Sequence, residues 1–208
     1  MIPVLIIALT FHEYSHAFVA YRLGDDTAKS RGRLTLNPLK HLDPLGTIMM
    51  IVARIGWAKP VPVNQMNFKD PKQDMVKVGI AGPLSNLTLA FITAFPIQVM
   101  IQYYATRPLT KVAEIFFTFL VLFFTVNLYL AVFNLIPIPP LDGSRIFYGL
   151  LPDKYYFGVM KYERYVGLAM ILLILVAPGI LRTVLDTLVY PFREGFMIAA
   201  RFIVNLFM

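Results

Sequence analysis

Residues 12 to 16 read His-Glu-Tyr-Ser-His, a fit to H-E-x-x-H. On an α-helix, positions i and i+4 lie about 40° apart around the axis and ~6 Å apart along it. Two imidazoles at that spacing point at one spot and can share a metal ion. Glu13 follows His12 by one residue, about 100° around the helix. It can therefore stand beside such a metal without binding it. A zinc ion with an open fourth position lowers the pKa of a bound water to about 7. A carboxylate at Glu13 could take that water's proton and hand it to a leaving amine. The setting strengthens the point. Ile2 to Val19 is otherwise apolar, and an ionisable group at the centre of a membrane helix costs roughly 2.5–3.5 kcal/mol on insertion scales. The bland alternative is a pair of histidines capped by neighbouring hydroxyls within a bundle. Against it, the chain has only three histidines and two of them are in this motif.

A zinc site needs a third protein ligand. The candidates are Asp142, His41, Asp43 and the acids of the loops. Asp142 stands in "NLIPIPPLDGSRI", residues 134–146. Pro137 ends the helix before it, Pro139 and Pro140 keep the chain extended, and Gly143 permits a tight turn just after the acid. The competing role for Asp142 is N-cap of a helix starting near Gly143. His41, in the polar "NPLKHLDP", reads as a surface residue or one that supports the site from behind.

These residues must be positioned by apolar segments. Of the 208 residues 58% are hydrophobic and 14% aromatic, and mean hydropathy is +0.66, above the usual apolar share of a soluble domain. Segments 2–23, 78–104, 112–136 and 165–190 are each long enough to cross a bilayer, for which ~20 residues suffice. Segment 42–56 contains Pro44, Gly46 and Arg54 and reads as re-entrant or interfacial. Residues 196–208 form a short apolar segment that contains Arg201. The fold class expected is an all-α polytopic membrane protein: a helical bundle of one domain, 1–208, with a small β-sheet or re-entrant segment on one face. The N-terminal run lacks a basic leader region and a small-residue cleavage site, so it reads as a retained helix. Cysteine is absent, which excludes disulfides and thiolate metal sites. The formal charge of +7 fits basic cytoplasmic loops. No basic patch interleaves with stacking aromatics, so nucleic acid is not an expected partner.

Three motifs in this order resemble the site-2 proteases, a family of zinc intramembrane proteases. They are H-E-x-x-H in a membrane span, "GIAGPLSN" at 79–86, and "NLIPIPPLDG" ending at 143. The resemblance covers roughly residues 5–150. It implies that His12, His16 and Asp142 bind Zn2+ and that Glu13 is the catalytic base. It places Asn134 near the site and makes transmembrane segments of other proteins the substrates. It is to the minimal bacterial or archaeal type, without PDZ-like or CBS-like parts. Asn86 and His41 are further candidates for substrate contact or support. The "NLT" at Asn86 also matches a glycosylation sequon, discounted because it lies within a span.

Charge gives an independent orientation. If 42–56 does not cross, one face carries ten basic residues between Arg22 and Lys77 and four between Arg145 and Arg164. The other short loop carries Arg107 and Lys111. The first face is then cytoplasmic, and the motif lies nearer to it. On that face "RGRLTLN" (31–37) and "KPVPVN" (59–64) alternate like strands. The prolines at 60 and 62 confine the second to an edge. Such a sheet could bind an unwound substrate or merely plug the mouth. Asn127 and Asn134, seven apart, share a helix face. Arg182 and Asp186 are spaced to pair. A reading from another class is a metal-ion or proton transporter, with histidines and carboxylate lining a pathway.

Overall fold

Asp70 starts the longest helix. Its side chain accepts a hydrogen bond from Gln73 N at 3.0 Å, and Pro71 occupies the first helical position, where its missing N–H costs nothing. The computed structural model describes residues 1–52, 58–152 and 162–207. The helices are α1 (Ile2–Arg22), α2 (Thr27–Ser30), α3 (Pro44–Val52), α4 (Pro71–Tyr103), α5 (Lys111–Leu135), α6 (Asp142–Leu150), α7 (Glu163–Val176) and α8 (Pro178–Phe207). Single 3-10 turns lie at Pro38–Lys40 and Gln65–Asn67.

Helices α1, α4 and α5 are long and apolar enough to cross a membrane. Their outward faces carry Leu84, Ile92, Val112, Ile115 and Phe116, all exposed. Helix α1 runs antiparallel to α4: Ala20 packs with Met75 and Val78 at one end, and Ala8 O meets Asn86 towards the other. Helix α5 returns alongside α4 and stops before Ile136-Pro137, as the restriction on a residue preceding proline requires. Helix α6 then tucks under the start of α4. A second core joins α4, α5 and α8 through Ala90, Ala94, Ile97, Leu120, Phe124, Leu128, Val189 and Ala200.

Segment 42–56 starts close to the residue that follows it in the described chain. Leu42 and Ala58 form an antiparallel bridge, so the two ends of the segment meet at one face. Helix α3, with nine residues, is about 13 Å long, under half of the ~30 Å hydrocarbon thickness. Residues 53–56 of this expected segment lie outside the described residues. The stretch expected as 165–190 is divided. Ala177, with φ −132° and ψ 53°, breaks it before Pro178, and the pieces meet at 96°. The second piece continues through Pro191 to take in 196–207, because α8 packs as one rod on α4 and α5. Arg182 Nε and Asp186 Oδ2 lie 3.7 Å apart on it.

The expected β-sheet is corrected. Among the described residues no strand forms beyond the single bridge. Residues 31–37 are turns, with Gly32 at φ +63°, and Thr35 O is taken by His41 Nε2 at 2.7 Å. Residues 59–63 belong to no regular element, and their hydrogen bonds go to other groups than a partner strand. Lys59 N donates to His41 O at 2.9 Å, and Arg33 Nη2 donates to Lys59 O at 2.6 Å. At the end of the segment, Asn64 N donates to Asp25 Oδ2 at 2.8 Å.

Asp25 is the knot of this face. It is fully buried and also accepts from Thr27 N at 3.1 Å and Asn67 Nδ2 at 2.7 Å. Burial alone would raise its pKa, but the hydrogen bonds from Thr27, Asn64 and Asn67 hold it below the usual carboxylate range. A carboxyl depressed in the folded state contributes stability that is complete above its unfolded value of ~3.9 and fades as pH falls through the folded value. Asp25→Ala leaves buried donors unmatched and should cost about 2–4 kcal/mol at pH 7. Thermal unfolding of the two proteins in detergent should show this gap narrowing as pH drops below 4. An equal gap at pH 7 and pH 3 would refute the assignment.

Candidate metal centre

One face of α1 and the first residue of α6 bring three donor atoms together. His12 Nε2 and His16 Nε2 are 3.0 Å apart. Asp142 Oδ2 lies 3.0 Å from the first and 3.2 Å from the second. Among the described residues this is the group of His, Cys, Asp and Glu that could hold a metal ion. Both histidines are buried, and Asp142 is partly open. The cap role for Asp142 is not taken up: the N-cap of α6 is Leu141, with no side-chain cap bond. His41 and Asp43 lie outside the cluster. His41 is buried against Thr35 O, and Asp43 Oδ1 caps α3 through Gly46 N at 2.8 Å.

The far side of each imidazole fixes its tautomer. His16 Nδ1 is 2.7 Å from Val78 O. A carbonyl only accepts, so Nδ1 carries the proton and neutral His16 keeps a lone pair on Nε2. For His12 two amides set the tautomer. Phe123 O can only accept, so it takes Asn127 Nδ2 at 2.8 Å. That turns Asn127 Oδ1 towards Asn86 Nδ2 at 2.7 Å, which also reaches Ala8 O at 3.2 Å. Asn86 Oδ1 is then left to accept from His12 Nδ1 at 2.6 Å. Nε2 of His12 thus also presents a lone pair.

With both rings neutral, two nitrogen lone pairs and a carboxylate oxygen converge within about 3 Å, an arrangement suited to a bound cation. The spacing suits zinc, whose tetrahedral sites with bonds of ~2.0–2.1 Å have ligand atoms about 3.3 Å apart. The hydroxyls do not cap the histidines: Thr10 Oγ1 and Ser15 Oγ bond Ile6 O and Phe11 O in their own helix, each at 2.7 Å.

Glycine makes the room. A Cβ on Gly82 would lie 2.4 Å from His16 Nε2 and 2.6 Å from His12 Cε1, so α4 can pass the histidines only with hydrogen there. A Cβ on Gly143 would lie 2.3 Å from Leu135 O, so the same economy lets α6 dock under the end of α5. Glu13, half-buried, points its Oε2 at Val61 N, 2.9 Å away. Asn134 donates to Leu130 O of its own helix at 2.9 Å. The amide that reaches the histidine network from α5 is Asn127, one heptad earlier.

Fold and site together define a multi-pass integral membrane metalloprotein, with its metal centre among the helices. The chain belongs to peptidase family M50, the site-2 protease family, whose sequence model matches residues 1–176. Its cofactor is zinc and its class is metalloprotease. It is 47% identical over 178 residues to YwhC of Bacillus subtilis, a protein named on inference as a zinc metalloprotease; the match covers 86% of this chain and 80% of that one. Rip2 of Mycolicibacterium smegmatis, named in the same way, is 34% identical over 66% of this chain and 52% of its own. Zinc metalloprotease MJ0392 of Methanocaldococcus jannaschii is 28% identical over 82% of this chain and 40% of its own length. No solved structure matches. The transporter reading finds no support among these relatives.

Groups behind metal-bound histidines typically change metal affinity 10–100-fold when removed. Asn86→Ala should therefore weaken zinc binding by about that factor, and Asn134→Ala should leave it unchanged; competition with a chromophoric chelator measures both. Gly82→Ala should abolish stoichiometric zinc while helical circular dichroism stays at the wild-type level. Full zinc content in Gly82→Ala would show that α4 does not constrain the histidines.

Proposed function

We propose that this chain is an intramembrane endopeptidase that hydrolyses peptide bonds in or near transmembrane segments of other membrane proteins. The observation that carries the reading is the ligand triangle set inside helices long enough to span, with Glu13 one residue from His12. His12, His16 and Asp142 are the ligands, and zinc held there supplies Lewis acidity that polarises a carbonyl and acidifies water. Glu13 stays off the metal, accepts the proton of the attacking water and delivers it to the departing amine. The apolar walls of α1, α4 and α5 keep bulk water from the site, which strengthens each charge interaction within it. A helical substrate hides its carbonyls in its own hydrogen bonds, so it must unwind before attack.

The proposed setting is a prokaryotic cell membrane. The N-terminus of α1 lies outside and the metal site nearer the cytoplasm, on the side of the basic face. His12 and His16 lie ten and six residues before Arg22 on α1, about 15 and 9 Å from that end.

Two variants separate ligand from base. Glu13→Gln leaves all three ligand atoms in place, so zinc should stay near one per chain. Cleavage should fall by more than the ~10²–10⁴ usual for a general acid–base group. Asp142→Asn should lose both zinc and activity. The assay is release of a quenched fluorophore from an apolar peptide of about 20 residues in vesicles, beside metal analysis. Wild-type zinc and cleavage in Asp142→Asn would remove it from the ligand set.

Orientation has its own test, helped by the absence of native cysteine. A cysteine at exposed Thr106 should react with an impermeant maleimide added to intact cells, and one at exposed Lys69 should be protected until lysis. The opposite pattern would invert the topology.

A further inference from the structure

The segment Pro60-Val61-Pro62 passes beside Glu13 with a single available donor. Pro60 and Pro62 have no N–H, so Val61 supplies the only backbone donor from 60 to 62. It is spent on Glu13 Oε2 at 2.9 Å, across 48 residues of sequence. We infer that the Val61 backbone N–H is the positioning group that holds the Glu13 carboxylate in its working orientation. The inference rests on Glu13 being the base, as proposed above.

Three features support a positioning role. A glutamate has three side-chain torsions, and a charge-assisted hydrogen bond from a fixed amide restrains them. With Oε2 held, Oε1 remains for the water's proton. The amide is itself fixed, because its segment is tied on both sides to buried groups. Lys59 is held by His41 O and Arg33 Nη2, at 2.9 and 2.6 Å. Asn64 is held by Asp25 Oδ2 at 2.8 Å. Arg33, His41 and Asp25 are 7%, 1% and 0% exposed, so these ties do not exchange freely with water. The flanking prolines add register control. If the segment slipped by one residue in either direction, Glu13 would face a nitrogen with no hydrogen, and the contact would be lost. The spacing Pro60-Val61-Pro62 thus allows one productive alignment.

The rival role for Glu13 is that of a mere anchor for the segment, and the test separates the two. Val61 is replaced in the full-length protein by its α-hydroxy acid analogue, which turns the N–H into an ester oxygen and keeps the side chain. Val61→Ala keeps the N–H and changes the side chain, and Val61→Pro removes the donor by a second route. Dye-labelled casein, an unfolded probe that needs no unwinding, gives kcat and KM. The ester should lower kcat by about 10–100-fold, the cost of a misplaced catalytic group, with KM within about twofold and zinc still near one per chain. Val61→Ala should match wild type. Infrared spectra of zinc-free, 13C-glutamate-labelled protein give a readout without turnover. The carboxylate band that disappears in Glu13→Gln should shift in the ester and not in Val61→Ala.

An ester with wild-type kcat and an unshifted band overturns the inference. So does a raised KM at constant kcat, which would assign the N–H to substrate binding, and so does zinc loss in step with activity, which would make the contact an anchor. Retained turnover in Glu13→Gln is a different failure: it removes the base assignment itself, and the infrared shift still reports whether Val61 holds Glu13.

Discussion

Three acceptor atoms that repel one another are forced together in an apolar bundle, and most of the structure serves to keep them there. Each imidazole has its proton pinned on the side away from the centre, by Val78 O for His16 and by Asn86 for His12. In their neutral form the rings offer the centre only lone pairs. This is an unfavourable arrangement that a divalent cation converts into a favourable one. It explains why α4 carries glycine at position 82, why α6 begins with its acid, and why two asparagines are buried within the bundle. A buried asparagine is costly unless its groups are matched. Asn86 and Asn127 match each other and pass the remaining demand to Ala8 O and Phe123 O.

The chain of amides also makes the metal centre a joint among three long helices. His12 comes from α1, Asn86 from α4 and Asn127 from α5. Helix α6 adds Asp142 and packs on α4 where Gly149 meets Val76 and Gly79 meets Arg145. Each partner constrains the next through direct contacts of about 3 Å, so the site's geometry and the bundle's packing are settled together.

How much of this could be read from the sequence depended on the range of the signal. H-E-x-x-H is local: five residues on one helix already fix the relation of two imidazoles. Asp142 is 130 residues from His12, and only its place in "NLIPIPPLDG" pointed to it. Seven-residue spacing put Asn127 and Asn134 on one face, but they stand about 10 Å apart along the axis. Only packing against α4 decides which of them meets Asn86. Val78 O and Val61 N are backbone groups, which every residue type carries, so no side chain announced them. The alternation in 59–64 read as an edge strand, and no strand forms there. It could not say that buried side chains would take the hydrogen bonds expected of a neighbouring strand. In the last third, Pro178 marked a break, but the joining of 178–190 to 196–207 across Pro191 follows from contact with α4 and α5.

The separation of the ligands along the chain also bears on biogenesis. His12 and His16 leave the ribosome first and Asp142 follows some 126 to 130 residues later. Until residue 142 is made, after the whole of α1, α4 and α5, the nascent chain holds two imidazoles and a glutamate but lacks the third proposed ligand. The segment that brings it, from Pro137 to Pro140, is the last link to be made. The proposed metal centre therefore cannot be complete before all three long apolar helices have been made. A chain stopped short of residue 142 thus carries two of the three donor groups and no complete cluster.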